Sequence, residues 1–196
     1  MNSVKVERLK GSQASVYIDE LANLRMKVFR EYPYLYEGEL KYEYDYLETY
    51  TKCKEFILVL ATHNSKIVGA SSAIPLEFEV PGCQKPFVDS GISLSDVFYF
   101  GETVLLPEYR GQGLYKHFFS ERESAAREYG CRKAAFCGVS RDKEDPRRPE
   151  NYVPIDSIWE RFAYQRCPDL FTYFEWTEIG QSVKTAKKMQ FWMKEL

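Results

Sequence analysis

Residues 99–129 read YFGETVLLPEYRGQGLYKHFFSERESAAREY, and this stretch decides the fold. Its first part belongs to a β-branched, aromatic and aliphatic run over residues 97–106, which is typical of a buried strand. A turn rich in glycine follows over residues 108–113, and residues 114–129 then repeat apolar side chains at helical spacing. Gly130 is typical of a helix C-terminus. The stretch therefore predicts a strand, a glycine loop and a helix in direct succession.

The glycine loop indicates a site that holds phosphate. The first N–H groups of a helix have no internal acceptor, and the helix dipole adds partial positive charge at that end. Gly111 and Gly113 leave room for a phosphate to approach these amides, and Arg110 adds a cation beside them. A cation is unfavourable at a helix N-terminus unless an anion accompanies it. Arg110 therefore favours an anionic ligand over a plain connection.

Two other phosphate loops do not fit this sequence. A nucleotide P-loop needs Gly-Lys-Ser/Thr after its first glycine, and no such string occurs in the chain. A dinucleotide fingerprint needs a third glycine, and Lys116 stands at that position. A tight strand-to-helix connection without a ligand remains an alternative, because it accounts for the glycines but not for Arg110.

Residues 105–114, LLPEYRGQGL, resemble the pyrophosphate loop of the GNAT superfamily of acyl-CoA N-acyltransferases. The pattern of that family is Arg or Gln, two residues, Gly, one residue, then Gly or Ala. Arg110 and Gly113 occupy its two main positions, whereas Tyr115 stands where the family usually has Gly or Ala. The resemblance implies that acetyl-CoA binds as a co-substrate.

Patterns elsewhere predict the remaining elements. Strands are predicted over residues 4–9, 56–62, 67–75, 133–139, 170–177 and 189–195. Helices are predicted over residues 17–30, 40–50 and 157–166, the last of them capped by Asp156. Gly101 interrupts its strand as a bulge or a close approach would require. Residues 77–95 are interpreted as irregular and residues 140–154 as an exposed loop, because both contain several prolines.

The arrangement of these elements follows partly from connection rules. A helix separates the strands over residues 97–106 and 133–139, so the two should run parallel with a right-handed crossover. The order of elements is also similar to the GNAT fold along nearly the whole chain. The resemblance implies an α/β, GNAT-like fold with a mixed, mostly antiparallel twisted sheet, two splayed parallel central strands and about four flanking helices. A length of 196 residues indicates a single domain over residues 1–196.

The resemblance also implies where the co-substrate binds. In the family the acyl-pantetheine arm lies between the splayed strands and pairs with exposed backbone of the first. The helix after the second parallel strand often carries a Tyr, and Trp159 stands at that position here. The residues implied to bind acetyl-CoA are Val104, Leu105, Leu106, Arg110, Gly111, Gln112, Gly113, Leu114, Tyr115 and Trp159.

Two catalytic residues are predicted. Glu102 is the candidate general base, because several family members use a Glu in this neighbourhood and an apolar strand is a costly place for a carboxylate. Its alternative role is a solvent-facing side chain or the partner of a lysine. Tyr164 is the candidate acid for the departing thiolate, with Tyr152 as an alternative, because the indole of Trp159 is not a practical acid. The thiolate leaving without that proton is a further alternative.

An aromatic and acidic stretch over residues 32–46 borders the acceptor site that the resemblance implies. Aromatic faces and carboxylates favour a cation. Tyr32, Tyr34 and Glu37 are therefore predicted to bind a cationic amine. The alternative is that these side chains cover and solvate a surface helix.

Bulk properties exclude several other classes. The charges nearly balance, with 27 basic and 29 acidic side chains, which favours neither nucleic acid nor a charged membrane surface as a partner. The chain has no apolar run of about 18 residues and no signal-peptide pattern. Its five cysteines are odd in number and not spaced for zinc, which favours reduced thiols in the cytoplasm. The two histidines do not suggest a metal site.

The predicted function is that of an N-acetyltransferase. It would transfer an acetyl (acyl) group from acetyl-CoA to a primary amine of a small molecule or peptide, by direct attack in a ternary complex. The alternative is a non-catalytic acyl-CoA-binding sensor or interaction module, which Trp159 and Tyr115 favour. Phe191 and Trp192 on the terminal strands are predicted to contribute to a homodimer contact.

Overall fold

One seven-stranded sheet runs through the part of the chain that the computed structural model describes, residues 3–196; Met1 and Asn2, the first residues of the predicted domain, lie outside it. The strands are β1 (Lys5–Lys10), β2 (Ile57–His63), β3 (Lys66–Pro75), β4 (Val97–Leu105), β5 (Lys133–Val139), β6 (Gln165–Thr177) and β7 (Lys184–Glu195). Their order in the sheet is β1-β2-β3-β4-β5-β7-β6. Every neighbouring pair is antiparallel except β4 and β5, which are parallel.

Helices cover both faces of the sheet. They are α1 (Ser12–Ser15), α2 (Ile18–Phe29), α3 (Leu40–Lys52), α4 (Pro81–Asp89), α5 (Leu114–Tyr129) and α6 (Asp156–Arg161). Helices α2, α3 and α4 pack on one face over a core that includes Leu21, Leu47 and Phe87. Helices α5 and α6 pack on the other face, around a core that includes Phe118 of α5 and Phe136 of β5. The apolar stripe that predicts α5 is thus the side of that helix turned to the sheet.

The parallel pair separates soon after it forms. Strands β4 and β5 are paired only from Val97 with Lys133 to Tyr99 with Ala135, although β4 continues to Leu105 and β5 to Val139. Beyond Tyr99 and Ala135 a gap therefore opens between the two strands. This architecture confirms the prediction of a mixed, mostly antiparallel sheet with two splayed parallel strands.

A β-bulge in β4 lies at the start of this gap. Ser71 pairs with Thr103 and Ala73 with Phe100, so Gly101 and Glu102 together stand opposite Ser72. A Cβ atom on Gly101 would lie 2.5 Å from the Ser72 hydroxyl oxygen and 2.6 Å from that of Tyr50, so only glycine fits here. Gly101 is therefore both a bulge and a close approach. The extra residue turns Glu102 towards α2 and α3, because a bulge reverses the alternation of side chains.

The prediction of irregular structure over residues 77–95 is wrong in part, because α4 lies within it. Pro81 occupies the first turn of α4, where its missing N–H costs no hydrogen bond. Cys83 and Phe87 lie one turn apart and are both buried. Pro81 is thus compatible with a short helix, whereas Pro86 lies inside α4 and removes one internal N–H donor. Together with α1, α4 brings the α-helices to six rather than about four across residues 3–196.

Two predictions near the C-terminus are also corrected. Asp156 does not cap α6; it is the first helical residue, Ile155 is the N-cap, and no side chain makes a capping hydrogen bond there. The helix ends at Arg161 rather than at residue 166, and Ala163 then adopts a φ of 64° that redirects the chain into β6.

Phe191 and Trp192 are 0% and 3% exposed, so they pack inside the protein and do not present a dimer contact.

Candidate active site

A cavity of about 370 Å³ occupies the gap between β4 and β5. Phe29 and Glu102 line it on the side of α2, and Phe119 and Arg122 line it on the side of α5. Because the gap passes through the sheet, the cavity reaches side chains on both faces. It is large enough for the reacting ends of two small molecules.

Backbone groups of β4 face this gap at alternate residues. The N–H of Leu106 donates to the carbonyl of Val68 on β3, at 3.0 Å. Antiparallel pairing alternates, so Val104 also turns its backbone to β3, whereas Thr103 and Leu105 turn theirs towards β5. Of the three residues predicted to hold the pantetheine arm, Leu105 lines the cavity and Val104 and Leu106 do not.

The glycine loop forms one end of the site. Gly111 and Gly113 have φ values of 74° and 80°, and Gly113 is the N-cap of α5. Such backbone angles favour glycine, which is why both positions carry it. Within residues 3–196, the amides from Gly111 to Tyr115 have no hydrogen-bond acceptor. The predicted anion-binding amides are thus available at the helix N-terminus.

Arg110 already has an anionic partner within the protein. Its guanidinium donates to both carboxylate oxygens of Glu31, at 2.8 and 3.2 Å, and its Nε donates to the Leu105 carbonyl at 3.2 Å. Arg110, Glu31 and Gly111 all line the cavity. A protein carboxylate therefore balances the cation at the helix start, and an incoming diphosphate would compete with Glu31 for it.

Glu102 belongs to a buried cluster around Arg25. Its Oε2 accepts from Arg25 Nη1 at 2.5 Å, and Glu43 accepts from Arg25 Nε at 2.5 Å. The guanidinium also lies over the ring of Tyr46, 4.3 Å from its centroid. Burial opposes the charge of Arg25, but Glu102, Tyr46 and Glu43 outweigh it and raise the pKa of Arg25 well above its usual value.

This cluster leaves one oxygen of Glu102 free. Glu102 is 3% exposed and lines the cavity, so it neither faces solvent nor pairs with a lysine as the alternative interpretation had it. Its Oε1 has no hydrogen-bond partner among the described residues. Two carboxylates share one guanidinium, so the cluster carries excess negative charge. A buried acceptor of this kind suits a ligand that brings a proton or a positive charge.

Aromatic side chains from both sides of the gap also line the cavity. Tyr32, Tyr34, Tyr115, Tyr152 and Trp159 line the cavity. Tyr32 and Tyr152 meet edge to face, with ring centroids 4.7 Å apart. The indole of Trp159 packs against Gly138 of β5, where an added Cβ atom would lie 2.5 Å from the ring.

The predicted catalytic residue Tyr164 and the predicted acceptor residue Glu37 also lie outside the cavity lining. The Tyr164 side chain is 1% exposed, and its hydroxyl donates to Glu123 at 3.1 Å beneath the aromatic core. Burial, followed by the charge of Glu123, raises its pKa. Glu37 is exposed and pairs with Arg30 at 2.5 Å. The remaining co-substrate residues Gln112, Gly113 and Leu114 lie at the start of α5, beside the cavity lining.

Sequence reasoning missed three residues of the site. Two of them, Glu31 and Arg122, line the cavity. The third, Arg25, binds Glu102, which lines it. Arg25 and Arg122 share a usable signal, because each stands one turn after an apolar core residue on the buried stripe of its helix, Leu21 and Phe118 respectively. An arginine on such a stripe needs a buried partner.

The described part of the chain offers neither a metal site nor a membrane-spanning helix. In residues 3–196, no cluster of three or more His, Cys, Asp or Glu side chains is suited to a metal ion. The same residues contain no helix with the length and apolar character needed to span a bilayer.

The chain belongs to the acetyltransferase (GNAT) family, whose sequence profile matches residues 18–148. This match covers α2 to α5, the splayed strands and the glycine loop. It confirms the resemblance drawn from residues 105–114 and the prediction of an acyl-CoA-dependent N-acetyltransferase. A sequence search of curated proteins finds no match.

Solved structures with the same fold are distant in sequence. A polyamine N-acetyltransferase from Drosophila melanogaster has a TM-score of 0.62 and 11% identity, over 99% of this chain and 100% of that one. A ribosomal-protein-alanine N-acetyltransferase from Brucella melitensis has a TM-score of 0.60 and 12% identity, over 97% and 99%. An aminoglycoside N-acetyltransferase in complex with CoA has a TM-score of 0.51 and 14% identity, over 83% and 85%.

The competition between Glu31 and a bound diphosphate for Arg110 can be tested with variants. Glu31→Gln should tighten CoA binding about 1.4-fold to fivefold, because an exposed ion pair contributes about 0.2–1 kcal/mol and its loss frees Arg110. Arg110→Ala should weaken CoA binding about tenfold or more. Isothermal titration of CoA measures both dissociation constants.

Two further variants separate the causes. Glu37→Gln breaks the exposed pair with Arg30 outside the cavity and should leave CoA binding unchanged. In an Arg110→Ala background the gain from Glu31→Gln should disappear. An equal gain in that background would mean that Glu31 acts only by repelling the diphosphate.

Proposed function

We propose that this protein acetylates a primary amine of a small molecule or peptide, using acetyl-CoA, by direct attack within a ternary complex. One observation carries the proposal: a single cavity joins unpaired amides at the start of α5 to a buried carboxylate with a free oxygen, Glu102. The first feature fits the diphosphate of the donor. The second fits the amine of the acceptor.

The donor would bind from the loop inwards. The diphosphate oxygens would accept hydrogen bonds from the backbone N–H groups of Gly111 to Tyr115 and from the guanidinium of Arg110. Charge-assisted hydrogen bonds of this kind contribute about 1.5–3 kcal/mol each. The pantetheine arm would pair with the gap-facing backbone of Thr103 and Leu105. The N–H groups on this edge are also the candidates for stabilising the developing oxyanion. Holding both reactants in one cleft removes on the order of 7–11 kcal/mol of barrier.

Glu102 would accept the proton of the attacking amine. Arg25 holds Oε2, which leaves Oε1 to receive an N–H from the cavity. The amine nitrogen then forms the C–N bond, the thioester C–S bond breaks, and the electron pair leaves on the CoA sulfur. Proton transfer by a positioned base of this kind contributes about 10²–10⁴-fold to rate.

Tyr152 is the better-placed source of the proton for the departing thiolate. It lines the cavity, whereas Tyr164 is engaged by Glu123 beneath it. Burial raises the pKa of Tyr152, which keeps its hydroxyl protonated and able to donate. Trp159 lies nearby but offers only an indole N–H, which is a hydrogen-bond donor and not an acid.

The proposed acceptor is a cationic amine. Tyr32 lines the cavity and has a buried hydroxyl without a partner among the described residues, and Tyr34 lines the same cavity. With the negative Arg25 cluster, these aromatic faces suit an ammonium group. The polyamine and aminoglycoside acetyltransferases of similar fold act on acceptors of this class. Glu37 is not part of the proposed acceptor site.

We also propose a cytoplasmic location, which rests on the five cysteines and their spacing. All five are free thiols, and Cys53, Cys83 and Cys131 are buried. Burial raises the pKa of each of these three, so they are poor nucleophiles and suit a structural role.

Binding without turnover is the second candidate function, because Trp159 and Tyr115 occupy positions where the family pattern has other residues. Two measurements separate the candidates. Acetyl-CoA and CoA should raise the melting temperature by about 5 °C or more at 100 times their dissociation constant, and ADP should raise it less. Thiol release across a panel of amines should then exceed hydrolysis. Binding without thiol release would favour the second candidate.

The role of Glu102 is tested by a matched pair of variants. Glu102→Gln should lower kcat about 10²-fold or more, because it removes the proposed base. Glu43→Gln removes the other carboxylate on Arg25 but does not line the cavity, so it should cost stability and far less turnover. Thiol release at saturating acetyl-CoA gives kcat, and urea unfolding gives stability. Equal losses of kcat would contradict the assignment.

A second pair of variants distinguishes Tyr152, the proposed acid, from Tyr164, which we expect to be structural. Tyr152→Phe should lower kcat about tenfold or more while preserving the melting temperature. Tyr164→Phe should cost about 1–2 kcal/mol of stability, because Glu123 loses a buried donor, with a smaller effect on kcat. Stopped-flow thiol release and urea unfolding measure both quantities. A larger kcat effect at Tyr164 would restore it as the acid.

A further inference from the structure

Arg122 is a buried arginine without an acidic partner. It lies on α5, is 2% exposed and is among the largest fully buried side chains of residues 3–196. Its Nε donates to the Phe118 carbonyl at 3.1 Å and its Nη1 to the Ser72 carbonyl at 3.4 Å. The guanidinium lies over the rings of Phe100 and Phe119, 4.3 and 5.1 Å from their centroids. Its setting is therefore two carbonyls and two aromatic faces.

No carboxylate among the described residues forms an ion pair or a hydrogen bond with this guanidinium. Glu102 and Glu123 act on it electrostatically, but Arg25 holds Glu102, and Lys194 and Arg127 hold Glu123. Burial lowers the pKa of Arg122 to about 10, so it remains a cation at neutral pH. Buried charges in proteins are normally paired, because an unpaired one is costly. The nearby carboxylates act on Arg122 only through space, so an anion in direct contact with the guanidinium would have to come from a ligand.

The cavity is the place from which that anion would come. Arg122 lines it on the α5 side of the gap, and Glu102 lines it on the α2 side. A guanidinium has five N–H donors in a planar fork, and protein carbonyls take only two of them here. Nη2 has no acceptor within residues 3–196, so it is free to bind a planar anion.

We propose that Arg122 binds a carboxylate carried by one of the two reactants. The inference rests on the proposed acyl transfer and defines its substrate class. Two sources share this chemistry: the terminal carboxylate of a dicarboxylic acyl group on CoA, and the carboxylate of an amino-acid acceptor. The diphosphate of the donor is a poor candidate, because the amides of the glycine loop provide its site at the other end of the cavity.

The experiment compares matched reactants in the wild-type protein. The donor arm measures kcat/KM for succinyl-CoA against acetyl-CoA with one amine. The acceptor arm measures kcat/KM for lysine against cadaverine, with lysine methyl ester as the analogue of similar size that lacks the carboxylate charge. The carboxylate-bearing reactant should be preferred about tenfold or more in one arm, which identifies the source. Equal kcat/KM in both arms would overturn the proposal and leave Arg122 a structural residue.

Variants then link the preference to this side chain. Arg122→Met should abolish the preference, and Arg122→Lys should retain part of it, because a lysine supplies the charge without the fork. Arg127→Met on the exposed side of the same helix is the matched control and should keep the preference. A preference that survives in Arg122→Met would overturn the proposal. If Arg122→Met does not fold, the wild-type comparison and Arg122→Lys decide the question alone.

A binding readout separates this inference from the proposed function. If no pair of reactants releases thiol, the proposed turnover fails, but binding still tests Arg122. Succinyl-CoA against acetyl-CoA, and lysine against cadaverine, should then differ in thermal shift in the wild type, with the carboxylate form binding more tightly. Equal shifts in both comparisons would overturn the proposal independently of catalysis.

Discussion

The separation of β4 and β5 is the constraint on which the site depends. Two parallel strands that stop pairing leave a row of backbone N–H and C=O groups without sheet partners, and such groups are costly unless something else binds them. Here the row begins just after Tyr99 and Ala135, where the ladder ends. The gap also removes the barrier between the two faces of the sheet, so one cavity contacts residues of both.

The bulge at Gly101 and Glu102 determines what the gap contains. In a regular strand Glu102 would point towards α5, on the same face as Phe100. The extra residue turns it to the other face instead, where Arg25 on α2 receives it. Glycine is required at 101 because Ser72 and Tyr50 leave no space for a side chain. A local irregularity of the backbone thereby decides which face carries the carboxylate.

Periodic patterns explain which parts of this structure the sequence reveals. The α5 stripe, the glycine loop and the β5 run are local signals, and the structure has α5 and β5 at the predicted residues. The pairing of Glu31 with Arg110 joins residues 79 positions apart, and nothing local encodes it. The choice of Leu105 over Leu106 depends on strand register, which the bulge shifts. The prediction of an irregular segment failed at residues 81–89, because a proline in the first turn of a helix cannot be distinguished in sequence from a proline in a loop.

Buried charge and aromatic packing are linked in this protein. Arg25 and Arg122 both lie on the core side of their helices, where a leucine would pack without desolvation cost. Each guanidinium lies over two aromatic rings, Phe29 and Tyr46 for Arg25, and Phe100 and Phe119 for Arg122. A desolvated cation–π contact contributes about 2 kcal/mol, which offsets part of the cost of burial. Ion pairs with Glu43 and Glu102 offset the rest of the burial cost of Arg25. Arg122 has no such ion pair, so only Arg122 still lacks a directly contacting anion.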